Sequence, residues 1–186
     1  VMNEMKSVQL YGSLIKKLDA HEAALLQKYG RHINCRKGCS ACCILEGVFP
    51  VDAFAIYSAA MSGAIPAESL YFNETPGRCV FLKNGLCSVY SARPVICRTH
   101  GYPVFVDGKA DFCPENFKEL ETIDSENILD LENLNRALAS INIIFRKETD
   151  NDFFQKERIT LKELKEFILQ IFNFQRREAG DTGTVC

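Results

Sequence analysis

The chain has 186 residues, of which 47% are hydrophobic, enough for one globular domain with a genuine core. Its 22 Lys and Arg stand against 24 Asp and Glu, and the net charge of -2 argues against a nucleic-acid-binding surface. No apolar run is long enough to span a membrane, and the start lacks the pattern of a secretory leader. We therefore expect a soluble, cytoplasmic protein with reduced cysteines that binds neither nucleic acid nor membranes.

The first 30 residues carry apolar side chains at near-helical spacing. Leu10, Leu14, Leu18, Leu25 and Tyr29 recur on one face, while charged residues fill the other faces. Glycine commonly follows the last turn of a helix, and Gly30 stands at that point. The pattern predicts one amphipathic helix over residues 1–30.

The segment from residue 34 to residue 114 holds eight of the nine cysteines and most of the glycines and prolines. It is expected to be loop-rich, with one helix over roughly Val51 to Met61. Short cysteine spacings let one loop turn several thiolates toward a zinc ion or an iron–sulfur cluster, so we expect a metal centre rather than disulfides. The candidate metal ligands are Cys35, Cys39, Cys42, Cys43, Cys79, Cys87, Cys97 and Cys113.

The adjacent pair Cys42-Cys43 is the unusual feature of this set. Cys39 and Cys42 have the two-residue gap common in metal-binding turns. Neighbouring side chains in an extended stretch point in opposite directions, so Cys42 and Cys43 are poorly placed to bind one tetrahedral metal. Either the eight sulfurs serve two centres, or one residue of this pair is not a ligand.

Two further segments bring cysteines back toward the first loop. Between Cys79 and Cys87, Asn84-Gly85 predicts a tight turn, across which the two cysteines can face each other. Pro94 can then start a helix that carries Cys97 back beside this loop.

The sequence leaves the roles of three charged or titratable residues open. Arg93 and Arg98 either offset the negative charge of the thiolates or form ordinary pairs with carboxylates. His100 is placed to complete a metal site. Eight thiols already exceed the needs of one metal ion, however, so we expect His100 to lie beside the site or on the surface. Cys186, at the end of a polar tail, is expected to be a free thiol.

Residues 115–178 are expected to be helical again. Leu131, Leu134, Leu138, Ile141 and Phe145 follow the spacing of a buried stripe. Thr160 and Glu163 resemble a capping box at the start of a further helix, whose apolar face includes Leu164, Phe167, Ile168, Ile171 and Phe172. The last residues, from Ala179 to Cys186, are expected to form a frayed tail. The whole chain is predicted to be one mainly α, small helical domain with a loop-rich, cysteine-stapled metal-binding region.

The cysteine pattern resembles that of the YkgJ-like cysteine-cluster proteins, which are described as zinc- or iron-chelating domains. The resemblance covers roughly Asn34 to Pro114 and rests on Cys35, Cys39, Cys42, Cys43, Gly85, Cys87, Tyr90, Arg93, Pro94, Cys97 and Arg98. The family's first gap has two residues, whereas three separate Cys35 from Cys39. The resemblance implies metal chelation. Flagellin lysine methylases look similar to this group and are thought to carry an iron–sulfur cluster.

Three functions therefore stay open. The first is a metal-binding protein with a zinc or iron centre and a surface for a protein partner. The second is an enzyme, an oxidoreductase or methyltransferase, built on a [4Fe–4S] cluster with one open iron. The spacing of Cys35, Cys39 and Cys42 also matches radical S-adenosylmethionine enzymes, but the chain lacks their series of strands. The third is a thiol-based redox switch that releases its metal on oxidation.

Overall fold

The computed structural model describes residues 5–35 and 38–180, with the side chains of residues up to 173. The fold of this part of the chain is mainly α, as predicted. The helices are α1 (Lys6–Tyr29), α2 (Pro50–Met61), α3 (Val95–Thr99), α4 (Leu131–Glu148) and α5 (Leu161–Gly180). No helix among the described residues is both long and apolar enough to cross a membrane.

Short strands, which the sequence did not predict, connect the loops to one another. Strand β1 (Gly47–Val48) pairs with β7 (Ile159–Thr160), and β2 (Leu82–Lys83) pairs with β3 (Leu86–Cys87), both antiparallel. Strand β4 (Val104–Val106) lies between β5 (Lys109–Asp111), which is antiparallel to it, and β6 (Leu129–Asp130), which is parallel to it. Strands of two or three residues have too few alternating side chains to be read from a sequence.

Helices α1 and α4 pack against each other in opposite directions. Ser7, at the start of α1, donates from its backbone N–H (2.9 Å) and its hydroxyl (2.6 Å) to the carboxylate of Glu148 at the end of α4. At the other end of α1, the Tyr29 hydroxyl donates to Asp124 at 2.9 Å, shortly before α4 begins. The predicted first helix is therefore confirmed from Lys6 to Tyr29, whereas residues 1–4 lie outside the described part.

The main hydrophobic core lies between α2, α4 and α5. Pro50 occupies the first turn of α2, where its missing N–H costs no helical hydrogen bond. The Phe54 ring contacts the rings of Phe145 and Phe154, with centroids 5.1 Å and 5.4 Å away. Phe167 stacks on Phe153 at 4.1 Å, so this aromatic side chain of the last helix serves packing, as expected.

The capping box at the start of α5 is confirmed. The Glu163 backbone N–H donates to the Thr160 hydroxyl at 3.1 Å, and the Thr160 N–H donates to the Glu163 carboxylate at 2.8 Å. Leu164 and Ile168 on the following turns are fully buried. Most of the predicted tail lies outside the described residues, since these end at residue 180.

A buried carboxylate joins three helices next to the cysteine-rich region. Asp52 of α2 is 3% exposed, and its Oδ1 accepts from the Tyr11 hydroxyl of α1 (2.7 Å) and from the Val95 N–H at the start of α3 (3.0 Å). Burial raises the pKa of Asp52 above its ordinary value, and the two hydrogen bonds only partly oppose this shift.

Replacing Asp52 with asparagine should keep both hydrogen bonds and remove the buried charge. A carboxylate whose pKa is raised by folding stabilises the fold fully below its unfolded pKa, and this contribution is lost as the pH rises through the folded value. Asp52→Asn should therefore be as stable as the unaltered chain, or more so, at pH 7, and its stability should fall less between pH 4 and pH 7. Asp52→Ala leaves the Tyr11 hydroxyl and the Val95 N–H without an acceptor, and it should lower the free energy of unfolding by about 2–4 kcal/mol. Urea unfolding across this pH range tests the pair, and equal losses in both variants would contradict the assignment.

Candidate metal centre

The first cysteine loop, residues 34–46, follows the end of α1 and carries four of the eight cysteines. Cys39 and Cys42 are exposed, whereas Cys35 and Cys43 are half-buried. The loop turns back on itself at Ser40, whose carbonyl accepts from the Cys43 N–H at 3.1 Å. Residues 36 and 37 lie outside the described part of the chain. The loop thus presents two thiols to solvent and two toward the protein.

The hairpin formed by β2 and β3 has the turn that the sequence predicts. Asn84 and Gly85 both have positive φ angles, 52° and 73°, as a two-residue hairpin turn of type I′ requires. Cys87 lies opposite Leu82 across the hairpin, and the Leu82 N–H binds the carbonyl of Cys79 at 3.0 Å. The turn therefore brings Cys79 and Cys87 to the same end of the hairpin.

The hairpin also contacts the first cysteine loop directly. The Cys79 N–H donates to the Cys43 carbonyl at 2.9 Å. A Cβ atom at Gly85 would lie 3.2 Å from the carbonyl oxygen of Gly38, so the tip of the hairpin packs against the same loop. Helix α3 begins directly after Pro94, as predicted, and Cys97 lies in its first turns with its N–H bonded to the Pro94 carbonyl at 3.0 Å.

A sharp turn at Gly101 brings the last cysteine against the first. Gly101 has a φ of +88°, and a Cβ atom there would lie 2.8 Å from Sγ of Cys35 and 3.5 Å from Cβ of Cys113. The Cys113 N–H donates to the Gly101 carbonyl at 3.3 Å. Only a glycine both adopts this backbone conformation and leaves room for the two cysteines.

Asn116 holds this corner together, although no pattern in the sequence indicates such a role. It is 1% exposed, and its Nδ2 donates to the Gly101 carbonyl at 2.6 Å and to Sγ of Cys35 at 3.3 Å. Its Oδ1 accepts from the backbone N–H of Asn34 at 2.8 Å. The amide thereby fixes the chain on both sides of Cys35 and supplies an N–H···S hydrogen bond to a candidate ligand.

The electrostatic neighbours of Cys97 and of Cys35 are two different sets of cysteines. Desolvation, together with the charges of Cys79, Cys87 and Cys43, raises the pKa of Cys97 to about 12, although part of its surface is exposed. Desolvation also raises the pKa of Cys35, with smaller contributions from Cys113, Cys39 and Cys42, while the hydrogen bond from Asn116 lowers it. We call these sets the Cys97 group (Cys43, Cys79, Cys87, Cys97) and the Cys113 group (Cys35, Cys39, Cys42, Cys113).

Arg93 and Arg98 pair with carboxylates of α1, which favours the second of the two predicted roles. Arg98 binds Asp19, and its side chain also donates to the carbonyls of Arg93 and Ser91, each at 3.1 Å. Arg93 binds Glu22 at 2.7 Å. Burial raises the pKa of Cys87, and the charge of Arg93 opposes a small part of this shift. These pairs fasten the segment around α3 to the first helix.

The segments that carry most of the cysteines contain basic residues but no acidic ones. Residues 23–45 and 75–106 contain no Asp or Glu, although they carry all of the candidate ligands except Cys113. Their cationic residues are Lys28, Arg31, Arg36, Lys37, Arg78, Lys83, Arg93 and Arg98. Burial raises the pKa of Cys43 and Cys87, and the charges of Arg78 and Arg93 oppose part of this shift, in the direction of the thiolate that binds metal.

The histidines contribute less than the thiols. His100 ends α3 with an exposed side chain, and the Arg31 guanidinium donates to Nε2 of His32 at 3.0 Å. His21 is half-buried on α1, and burial lowers its pKa. Among the described residues, no three His, Cys, Asp or Glu side chains already converge on a point where they could hold a metal ion. Metal binding therefore requires the thiols to move closer, which rotation about the χ1 angle of each cysteine and adjustment of the surface loops can provide.

A match to a known protein family covers the whole cysteine-rich region. Residues 34–123 match the family model CxxCxxCC, described as "Putative zinc- or iron-chelating domain". The match spans just under half of the chain and includes all eight candidate ligands, so the resemblance seen in the sequence is confirmed. Metal binding is the function that this family's description supports. No curated protein and no solved structure matches the chain.

Proposed function

We propose that this CxxCxxCC protein chelates zinc or iron through the thiolates of its eight cysteines from Cys35 to Cys113. The observation that carries the proposal is that several separate segments bring free thiols near one another. The first loop, the hairpin, α3 and the segment after β5 each contribute at least one cysteine, and none of the eight forms a disulfide. Neighbouring thiols from several segments are typical of zinc and iron–sulfur sites.

The surrounding charges support the same function. Four thiolates around one divalent ion leave a net charge of about −2, which basic neighbours stabilise. Residues 75–106 contain no Asp or Glu, and the charge of Arg93 opposes part of the rise in the Cys87 pKa that burial causes. Eight free thiols also favour a reducing compartment such as the cytoplasm, the location that the sequence predicts.

One observation favours a thiol-based redox switch as a second candidate. The neighbouring thiols of Cys42 and Cys43 are hydrogen-bonded to each other, and Cys42 is exposed. An exposed thiol beside a second cysteine can be oxidised and then resolved as a disulfide. An iron–sulfur enzyme needs one iron that no cysteine binds, which a set of three cysteine ligands would leave open. The thiols fall into groups of four, so this function has less support.

Elemental analysis and a visible absorption spectrum, on protein purified once in air and once without oxygen, test the proposal. We expect zinc or iron bound at about one ion per chain or more, and loss of metal when Cys87 or Cys39 is replaced with serine. Cys186→Ser, a cysteine outside the family match, is the control and should retain the full metal content. Iron with inorganic sulfide and a brown colour would direct the work to cluster chemistry, and reversible metal loss with peroxide would favour the redox switch.

Metal-free protein from both preparations, with no uptake of added zinc or iron, would contradict chelation. Unchanged metal content in Cys87→Ser and Cys39→Ser would contradict the ligand assignment.

A further inference from the structure

The adjacent residues Cys42 and Cys43 sit at the boundary between two parts of the cysteine-rich region. The backbone of Cys43 is joined to the hairpin through the 2.9 Å hydrogen bond between its carbonyl and the Cys79 N–H. Cys42 is the exposed residue of the pair, and the charges of Cys43, Cys39 and Cys113 affect its pKa. The two adjacent thiols are hydrogen-bonded to each other, but Cys43 has Cys79 as a further neighbour whereas Cys42 has Cys113.

The Cys97 group is assembled by the hairpin and α3. Cys79 and Cys87 lie at one end of the hairpin, and both pack against the main hydrophobic core. The Cys43 carbonyl accepts a hydrogen bond from the Cys79 N–H. The charges of Cys79, Cys87 and Cys43 all affect the pKa of Cys97. Four cysteines from three separate segments are thus neighbours.

The Cys113 group is assembled at the turn of Gly101. Sγ of Cys35 and Cβ of Cys113 both lie within 3.5 Å of the position that a Cβ of Gly101 would take. The buried Asn116 ties Cys35 to the same turn through its two donated hydrogen bonds. Cys39 and Cys42, from the exposed part of the first loop, are the remaining neighbours of Cys35.

We propose that the eight cysteines form two separate four-thiolate metal centres, with the Cys97 group as one ligand set and the Cys113 group as the other. The proposal rests on the proposed function and adds to it the number of centres and the assignment of each ligand. Four sulfurs about 2.3 Å from one zinc ion complete its tetrahedral shell, so each centre is closed and leaves no position for a substrate. Adjacent cysteines are accounted for, because Cys42 and Cys43 bind different metal ions.

Paired substitutions test the assignment in the full chain. Zinc content of the unaltered protein should be about two ions per chain, and Cys43→Ser should lose about one. Adding Cys97→Ser to Cys43→Ser removes a second ligand of the same centre and should cause no further loss. Adding Cys113→Ser to Cys43→Ser should instead remove the second ion. Circular dichroism accompanies each measurement, and Cys42→Ser with Cys113→Ser is the reciprocal pair, expected to retain about one ion.

Cadmium NMR of the unaltered chain gives an answer that does not depend on whether the variants fold. Protein loaded with ¹¹³Cd²⁺ should show two resonances in the region of four-thiolate coordination, without coupling between the two cadmium nuclei. Cadmium–cadmium coupling would show that cysteines bridge the ions in one shared cluster and would overturn the division. A single bound ion, or further loss on combining Cys43→Ser with Cys97→Ser, would also overturn it while leaving chelation intact. Failure to bind any metal would instead overturn the proposed function.

Discussion

Substituting Arg98 with alanine should lower the free energy of unfolding by about 3 kcal/mol. Arg98 is 8% exposed, and its guanidinium binds Asp19 and the carbonyls of Arg93 and Ser91. Removing it leaves the two carbonyls without their charged donor. Asp19 is half-exposed and regains water, which keeps the loss below that of a fully buried ion pair.

The same substitution should weaken metal binding by the Cys97 group. Helix α3 is only five residues long and cannot be stable without its tertiary contacts. Arg98 follows Cys97 directly and anchors α3 to α1, so its loss should leave the thiol of Cys97 poorly positioned. Arg98→Lys should rescue little, because one ammonium group cannot reproduce the fixed geometry of three guanidinium contacts.

Urea unfolding and zinc content of the same preparations check this prediction. Arg136→Ala is the matched control, since Arg136 is 69% exposed and pairs with Glu132 and Asn133 of its own helix. It should change the free energy of unfolding by less than about 0.5 kcal/mol. If Arg98→Ala behaved like Arg136→Ala in both measurements, the anchoring role of Arg98 would be wrong.

Substituting Gly101 with alanine should remove the metal of the Cys113 group. The added Cβ would lie 2.8 Å from Sγ of Cys35, a separation that forces the thiol or the turn to move. The same atom would make ordinary van der Waals contacts with Cβ of Cys113 and Nδ2 of Asn116, at 3.5 Å and 3.6 Å. The substitution therefore displaces the thiol of Cys35, which the Asn116 amide holds in place.

A second glycine allows the stability lost through the left-handed backbone to be separated from this steric effect. Gly108, in the turn between β4 and β5, also has a positive φ, +77°, but an added Cβ there would meet nothing within 4 Å. Both alanine variants should lose about 1–2 kcal/mol of stability from the left-handed backbone. Only Gly101→Ala should also bind about half as much zinc as the unaltered chain. Equal zinc contents in the two variants would show that the corner at Gly101 does not belong to a metal centre.

The cysteine-rich region depends on the helices around it. Asp19 and Glu22, which bind Arg98 and Arg93, belong to α1 and lie outside the residues of the family match. The aromatic core joins Phe54 of α2, inside the match, to Phe145 of α4, outside it. We infer that the chain folds as one cooperative domain and that residues 34–123 need the flanking helices for stability.

Much of the helical structure could be predicted because its signals are local. The apolar stripe from Leu131 to Phe145 repeats over several turns, and the reciprocal bonds of Thr160 and Glu163 involve residues only three apart. The hairpin turn follows from the positive φ angles that Asn84 and Gly85 adopt readily. The short strands, by contrast, arise where loops meet, and their residues carry no periodic signal.

By itself, the sequence determined the helices, the hairpin turn, the eight candidate thiol ligands and their family, because spacing and residue type act over a few neighbouring positions. The tertiary structure decided which thiols are neighbours: Cys43 meets the hairpin, while Cys35 meets Cys113 at Gly101. It also decided the roles of Asn116, Arg93 and Arg98. These contacts join residues far apart in the chain, and their formation depends on how the helices pack rather than on any local pattern.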